Sequence, residues 1–170
     1  MRKINRVFWH CSGTPEGRDV KTETIKAWHT NRAPKGRGWL DIGYHFVYEL
    51  DGTEHPGRPL ERVGAGVRGH NDHSIHLCYV GGLASDAKTP KDTRTPAQRE
   101  AMYRRTQQLL EEFPEATVHG HNEFDAKACP SFDVQKDWAA YLDDRDGPAT
   151  DPAGLKCPHC GESLTVTVSV

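Results

Sequence analysis

Three residues that could bind a metal or take part in acyl chemistry lie close together in the stretch HNEFDAKACPSFD, residues 121–133. They are His121, Lys127 and Cys129. Zinc favours imidazole nitrogen and thiolate sulfur as ligands, a thiolate is also a nucleophile, and a lysine supplies positive charge. The stretch therefore suggests a metal site, a cysteine nucleophile or an accidental clustering in a loop.

A third metal ligand would have to come from elsewhere in the chain, and His10 is the best placed. RVFWHCS, residues 6–12, is an aromatic and branched run that predicts a strand with His10 at its carboxyl end, a favoured place for sites in α/β sheets. That strand could lie beside the one leading to His121. On spacing alone, ordinary half-buried histidines and a small buried cysteine explain the pattern better than zinc does. Geometry also does not choose between His119 and His121, which share a face.

The other elements predict an α/β fold, with a single central mixed sheet and helices on both faces. The clearest helix begins at Thr95, where Pro96 at the first helical position and Gln98 at the third indicate a capping box. The strand predicted over residues 42–50 ends in an Asp-Gly turn and would place Ile42, Tyr44, Phe46 and Tyr48 on one face. Further strands are predicted over 74–82 and 116–121, and further helices from residues 22 and 133.

Composition and charge exclude several classes of function. The chain has 170 residues, 35% hydrophobic residues and a formal net charge of -2. It contains no apolar run of membrane-spanning length and no signal-peptide core, so we expect a cytoplasmic protein without a membrane span. The basic residues form no stripe, so nucleic acid is not an expected partner. Five cysteines, an odd number, do not suggest a disulfide framework.

The composition also divides the chain. We predict one folded domain over residues 1–143, a proline- and glycine-rich linker over 144–155, and a short tail over 156–170. The tail contains CPHC, residues 157–160. This motif could be half of a zinc knuckle completed by a second chain, or a redox dithiol, although a frayed tail is the simpler interpretation.

Several sequence words occur together in the order found in one enzyme family. They are VFWHCSGT, AWHTNR, GWLDIGYHF, DGTEHPGRPL, GHNDHSIHLCYVGG, TPAQ and GHNEFDAKACPSFD. Over residues 6 to about 142 the chain resembles the type 2 N-acetylmuramoyl-L-alanine amidases, whose superfamily includes peptidoglycan recognition proteins and short phage lysozyme-amidases. The resemblance is closest to the short phage enzymes. It implies hydrolysis of the amide between N-acetylmuramic acid and L-alanine in peptidoglycan, and so bacterial cell-wall lysis.

The resemblance also assigns roles to individual residues. It implies that His10, His121 and Cys129 are zinc ligands, and that Tyr44 and Lys127 are catalytic. Zinc would activate a water as the nucleophile, so Cys129 would act as a ligand, and Lys127 would stabilise the oxyanion. Members that lack this cysteine generally bind without cutting, so its presence favours an enzyme over a peptidoglycan-binding protein of the same fold.

The remaining partners and residues carry weaker expectations. Peptidoglycan is the expected partner, and some short phage relatives also bind the phage RNA polymerase, which makes the polymerase a further candidate. We expect a monomer that reaches the cell wall after release through a pore.

Glu123 is either an acceptor for a ligand imidazole or a solvated carboxylate. The family often has a histidine where Gly66 lies and a glycine where His76 lies. The remaining histidines are interpreted as surface or packing residues: His29, His45, His70, His73 and His76. His70 and Asn71 are possible contacts to glycan or peptide at the rim of the site.

Overall fold

The computed structural model describes residues 2–146. The described residues up to Trp138 form one compact unit, and the last helix begins within it. That helix runs to Asp146, into the start of the stretch predicted as a linker. The rest of that linker and the CPHC tail lie outside the described residues. Among residues 2–146, no helix is long and apolar enough to cross a membrane.

A five-stranded mixed sheet forms the centre of the fold, in the order β4-β3-β5-β1-β7. Neighbouring strands are parallel except for β3 and β4, which are antiparallel. The strands of this sheet are β1 (Arg6–Cys11), β3 (Phe46–Tyr48), β4 (Glu54–Pro56), β5 (Ser74–Tyr79) and β7 (Thr117–Gly120). A second, two-stranded sheet pairs β2 (Thr14–Pro15) with β6 (Gly82–Leu83). The helices are α1 (Thr22–Thr30), α2 (Pro96–Glu112), α3 (Val134–Asp146) and a short 3-10 helix (His121–Glu123).

Helices cover both faces of the central sheet, as predicted. On one face, Met102 and Leu109 of α2 pack into a large apolar cluster. On the other, Ile25 of α1 packs against Val47 of β3. Because side chains alternate along a strand, β1 and β5 contribute to both faces. We call the face toward α2 the core face (Val7, Trp9, Ile75, Leu77, Tyr79) and the opposite one the site face (Phe8, His10, His76, Cys78).

The predicted capping box at the start of α2 is confirmed. The Gln98 N–H donates to the Thr95 hydroxyl oxygen at 3.1 Å, and the Thr95 N–H donates to the Gln98 side-chain oxygen at 2.9 Å. The Gln98 amide nitrogen also donates to the carbonyl oxygens of Tyr48 and Val80, at 3.1 and 3.0 Å. One side chain thus caps the helix and fastens it to the sheet.

The strand predicted over residues 42–50 is much shorter, covering Phe46–Tyr48. The prediction that its alternate residues share one face is wrong, because Ile42 and Tyr44 pack in the cluster around Ile25, whereas Tyr48 packs in the core-face cluster. The physical reason lies at Gly43. Its N–H donates to His29 Nδ1 at 3.1 Å and its carbonyl accepts from the Ala65 N–H at 2.9 Å. These bonds lead the backbone away from the sheet ladder.

Candidate active site

Parallel pairing of β1 with β7 brings together three side chains that could bind a metal. In the register, Trp9 lies opposite Gly120, so His10 at the end of β1 comes beside His121, the first residue of the 3-10 helix. The loop after that helix returns Cys129 to the same place, with its Sγ 3.6 Å from His10 Nδ1. One donor atom from each of His10, His121 and Cys129 lies within 4.8 Å of the others. The structure therefore brings together all three predicted ligands.

Backbone hydrogen bonds fix the position of Cys129. The Asn122 N–H donates to the Cys129 carbonyl oxygen at 2.7 Å, and the Cys11 N–H donates to Cys129 Sγ at 3.3 Å. The Tyr79 hydroxyl donates to the carbonyl oxygen of Pro130 at 2.7 Å. The sulfur is therefore held between the end of β1 and the start of the 3-10 helix.

His121 offers a nitrogen that is buried and has no hydrogen-bond partner among the described residues. This atom is Nε2, and its nearest carboxylate oxygen, on Asp125, is 3.6 Å away, beyond hydrogen-bond distance. Burial and the charge of Lys127 lower the pKa of His121, so its imidazole is neutral at pH 7. A neutral, desolvated imidazole nitrogen without a partner is the form that binds a metal ion.

The other two donors are also affected by their surroundings. Burial lowers the pKa of His10 well below its ordinary value, and neighbouring His76 and His121 lower it further. A hydrogen bond with the Cys11 side-chain thiol and burial raise the pKa of the Cys129 thiol. A thiolate at Cys129 therefore needs a cation beside it, which a metal ion at this cluster would supply.

A cleft of about 390 Å³ opens beside these donors. Tyr44 lines it, with its ring centroid 5.2 Å from that of His10. Burial and the neighbouring thiols raise the pKa of Tyr44 well above its ordinary value, so its hydroxyl stays protonated and can donate a hydrogen bond. The cationic side chains lining the same cleft are Arg37, Arg68 and Lys127.

Lys127 reaches this cleft from the exposed loop between the 3-10 helix and Cys129. Its Nζ forms an ion pair with Asp125 Oδ2 at 2.8 Å, and 57% of its side chain is exposed. The same Asp125 oxygen lies 3.6 Å from His121 Nε2. Tyr44 and Lys127, the two residues predicted to be catalytic, therefore line the cleft that also includes His121.

Two further residues near the donors, Glu123 and Asn71, have backbone hydrogen-bond partners. Glu123 does not contact the His121 imidazole. Its carboxylate instead accepts from the Gly120 N–H and bonds His119 Nδ1 at 2.9 Å. Asn71 lines the cleft, but its side-chain oxygen also accepts from the N–H groups of Gly66 and Val67 at 3.0 and 2.9 Å. Asn71 thus shapes the cleft wall as well as facing it.

Sequence reasoning missed the part played by His76. This residue was expected to be a surface or packing histidine, yet it is fully buried and its Nδ1 lies 3.1 Å from His10 Nε2. A signal was present, because His76 falls in a run predicted as a central strand. Buried polar groups in such strands nearly always have a hydrogen-bonding partner.

Comparison with solved structures defines the class of protein first. The fold matches the N-acetylmuramoyl-L-alanine amidase LysC from Clostridium intestinale URNW, with a TM-score of 0.67, 22% identity, and coverage of 84% of this chain and 87% of that one. It also matches the ectodomain complex of peptidoglycan recognition proteins LCa and LCx bound to tracheal cytotoxin. There the TM-score is 0.61, with 26% identity and coverage of 76% of this chain and 77% of that one. The fold is thus the one shared by amidases and peptidoglycan recognition proteins.

The sequence narrows the class to a family. The N-acetylmuramoyl-L-alanine amidase family matches residues 1–132, and the chain belongs to this family. The endolysin of Klebsiella phage KP32 is 39% identical over 138 residues, which cover 81% of this chain and 87% of that protein. The resemblance inferred from the sequence words is confirmed, and the chain is an amidase of this family.

Proposed function

We propose that this chain is a zinc-dependent endolysin that cuts the amide bond between the lactyl group of N-acetylmuramic acid and L-alanine in peptidoglycan. The observation that carries the proposal is the cluster of His10, His121 and Cys129, whose donor atoms lie within 4.8 Å of one another beside the cleft. The endolysin relatives support the physiological role, and peptidoglycan recognition proteins of the same fold support peptidoglycan as the partner.

The donor set fits zinc. Two imidazoles and a thiolate are ligands that zinc prefers, and a catalytic site uses three protein ligands and leaves one position open. The unpartnered Nε2 of His121 and the His10 Nδ1 beside Cys129 Sγ are the nitrogens that would hold the ion. When bound, zinc would supply Lewis acidity and lower the pKa of a water ligand toward about 7.

Lys127 would stabilise the negative charge that develops on the amide oxygen. It lines the cleft beside His121 and carries a positive charge, and Asp125 holds its ammonium group at 2.8 Å. A positioned donor at a developing oxyanion contributes about 3 to 4 kcal/mol to lowering the barrier. We therefore assign Lys127 to oxyanion stabilisation.

Tyr44 would donate a hydrogen bond in the same cleft. Its raised pKa keeps the phenol protonated, and its ring lies between those of His10 and His29, with centroids at 5.2 and 5.3 Å.

Hydrolysis adds water across the amide, so the carbonyl carbon gains an oxygen and the L-alanine nitrogen gains a proton. The products are a lactyl carboxylate and a free amine.

Some features remain predictions. The domain boundaries at residues 143 and 155, the monomeric state, release from the cytoplasm through a pore, and binding to phage RNA polymerase are proposed from the sequence and the family resemblance. Co-purification of the full chain with the polymerase of its phage would test the last of these. A polymerase that elutes separately from the chain would contradict that partner.

Hydrolysis of a purified muropeptide tests the zinc proposal. We expect the wild-type chain to release a new L-alanine amino group, a strong chelator to abolish this release, and added zinc to restore it. Cys129→Ser should lose activity, whereas Cys157→Ser, at a cysteine outside the family match to residues 1–132, is the control. Full cleavage by metal-free protein, or by Cys129→Ser, would contradict the proposal.

A further inference from the structure

A row of imidazoles continues from the donor cluster into the protein interior. His10 Nε2 lies 3.1 Å from His76 Nδ1, and both residues are buried. His10 Nδ1 faces Cys129 Sγ and would be the nitrogen that binds a metal. A metal-binding nitrogen cannot keep its proton, so the His10 proton must reside on Nε2, where it can be donated to His76 Nδ1.

His76 is itself held rigidly. Its ring is stacked between two others, those of Phe8 and His45, with centroids 5.6 Å away in both cases and interplanar angles of 9° and 13°. Its backbone N–H donates to His45 Nδ1 at 2.9 Å. The His45 Nε2 lies 3.1 Å from the Arg62 carbonyl oxygen and can donate to it. The acceptor offered to His10 thus belongs to a fixed ring on a central strand.

Two glycines make room for this row. A Cβ atom on Gly66 would lie 2.8 Å from His10 Nε2 and closer still to His76 Nδ1. A Cβ on Gly64 would lie 2.7 Å from His45 Cε1 and closer still to the His76 ring. Neither glycine has a positive φ, so the backbone conformation does not require glycine there. The requirement is space for the imidazoles.

We propose that His76 is a positioning residue for the metal centre, an inference that rests on the proposed function. By accepting from His10 Nε2, it fixes the tautomer and ring orientation that aim His10 Nδ1 at the site of the metal. Gly64 and Gly66 keep the space in which this hydrogen bond forms. Partners of this kind typically change metal affinity by about 10- to 100-fold when they are removed.

The test is zinc affinity, measured by competition with a chromophoric chelator. His76→Leu removes the acceptor and should weaken zinc binding about 10- to 100-fold. His76→Asn should recover most of the affinity, because its side-chain oxygen can occupy the place of Nδ1. His76→Gln, whose oxygen lies farther along the side chain, should recover less. Phe8→Leu is the matched control, since it removes the stacked ring from His76 but leaves the acceptor.

Cobalt substitution provides a spectroscopic readout. The visible bands of the cobalt-loaded protein report ligand geometry, so we expect them to shift in His76→Leu and to return toward wild type in His76→Asn. A structural role in packing alone would predict similar shifts in Phe8→Leu. Equal spectra and equal affinities in wild type and His76→Leu would overturn the inference.

A double-mutant cycle tests the two glycines. Gly66→Ala should weaken zinc binding in the wild-type background, because the new methyl group displaces His76 or His10. In a His76→Ala background the same change should cost less, since the more crowded of the two rings is absent and His10 can shift into the space that it leaves. Equal losses in both backgrounds would refute the role of Gly66. If wild-type protein bound no zinc, the proposed function itself would fail; normal zinc binding with silent His76 variants would refute this inference alone.

Discussion

The two faces of β1, a strand of six residues, differ in how completely their buried polar atoms are hydrogen-bonded. On the core face, Val7 and Trp9 are fully buried, and the one polar atom of Trp9 donates to the Thr106 hydroxyl at 3.1 Å. On the site face, His10 lies beside histidine rings in which one nitrogen has no hydrogen-bond partner among the described residues. In the described part of the chain, the buried side-chain nitrogens without a hydrogen-bond partner are His76 Nε2 and His121 Nε2.

This difference separates stability from function within a single sheet. The rings of His76 and His121 lie 5.2 and 4.9 Å from that of His10, so the incomplete hydrogen bonding is concentrated around His10. Leaving a buried polar atom unpaired costs about 1 to 3 kcal/mol, and a catalytic role or a bound ion or water accounts for many such atoms in native proteins. Changes to residues that line the cleft should therefore alter catalysis, and changes on the core face should alter stability.

The largest expected effect is on catalysis alone. Lys127→Ala should lower kcat by about 10²- to 10³-fold, because it removes a donor to the developing oxyanion. The free energy of unfolding should not change, since 57% of the side chain is exposed. Steady-state hydrolysis and urea unfolding measure the two quantities, with Lys3→Ala as a control at a lysine that is 70% exposed. An unchanged kcat would contradict the role given to Lys127.

The opposite result is expected from the core face. Met102→Ala deletes a fully buried side chain and should lower the free energy of unfolding by about 3 kcal/mol, within a usual range of about 2 to 5. The kcat of the folded fraction should remain that of wild type. Urea unfolding and active-site-normalised kinetics measure this, with Glu111→Ala on the exposed side of α2 as a control. A large fall in kcat would show that the two faces are coupled.

Acid should lower the stability of the protein through its buried histidines. Burial lowers the pKa of both His29 and His45 from 6.5 to about 4, so the unfolded chain binds more protons between these values. Their contribution to stability is present above pH 6.5 and is lost as the pH falls toward 4, amounting to about 2 kcal/mol per histidine by pH 5.

The test of this acid effect is the free energy of unfolding as a function of pH. His29→Asn should flatten the curve between pH 6.5 and 4, because the amide does not titrate in this range and its oxygen can still accept from the Gly43 N–H. His73→Asn, at an exposed histidine, serves as the control and should keep the wild-type slope. If both variants retain that slope, burial of His29 does not cause the acid sensitivity.

The smallest expected effect concerns the start of α2. Thr95→Ala removes the hydroxyl that accepts from the Gln98 N–H and should cost about 1 kcal/mol of stability, without changing kcat. Thermal unfolding measures the loss, and Thr24→Ala, at an exposed threonine inside α1, is the matched control. Equal effects of the two changes would show that the cap contributes nothing specific.

Local patterns predicted the core face better than the site face. The capping box of α2 depends on residues 95–98, which are neighbours in sequence, and the apolar alternation of β1 needs no knowledge of the rest of the chain. The clustering of His10 with His121 and Cys129 depends on pairing between β1 and β7, more than a hundred residues apart. Spacing alone therefore favoured ordinary histidines, and the ligand set emerged only from the family resemblance.

Errors arose where a side chain replaced a sheet hydrogen bond. The strand predicted around Tyr44 was too long because the His29 ring accepts the Gly43 N–H, which no periodic pattern reveals. His76 was misjudged for a related reason. Its partner, His10, lies on an adjacent strand, so the hydrogen bond depends on strand order as well as on the alternation of side chains.

The position of β1 between β5 and β7 limits which mutations this strand can tolerate. Both neighbours fix its register, and successive side chains point to opposite faces. An insertion or deletion of one codon inside β1 would exchange the faces, sending His10 into the apolar core and placing Cys11 at the cleft. Substitutions within this strand can be tested one at a time by selection, but a change in its length would remove the site and the core together.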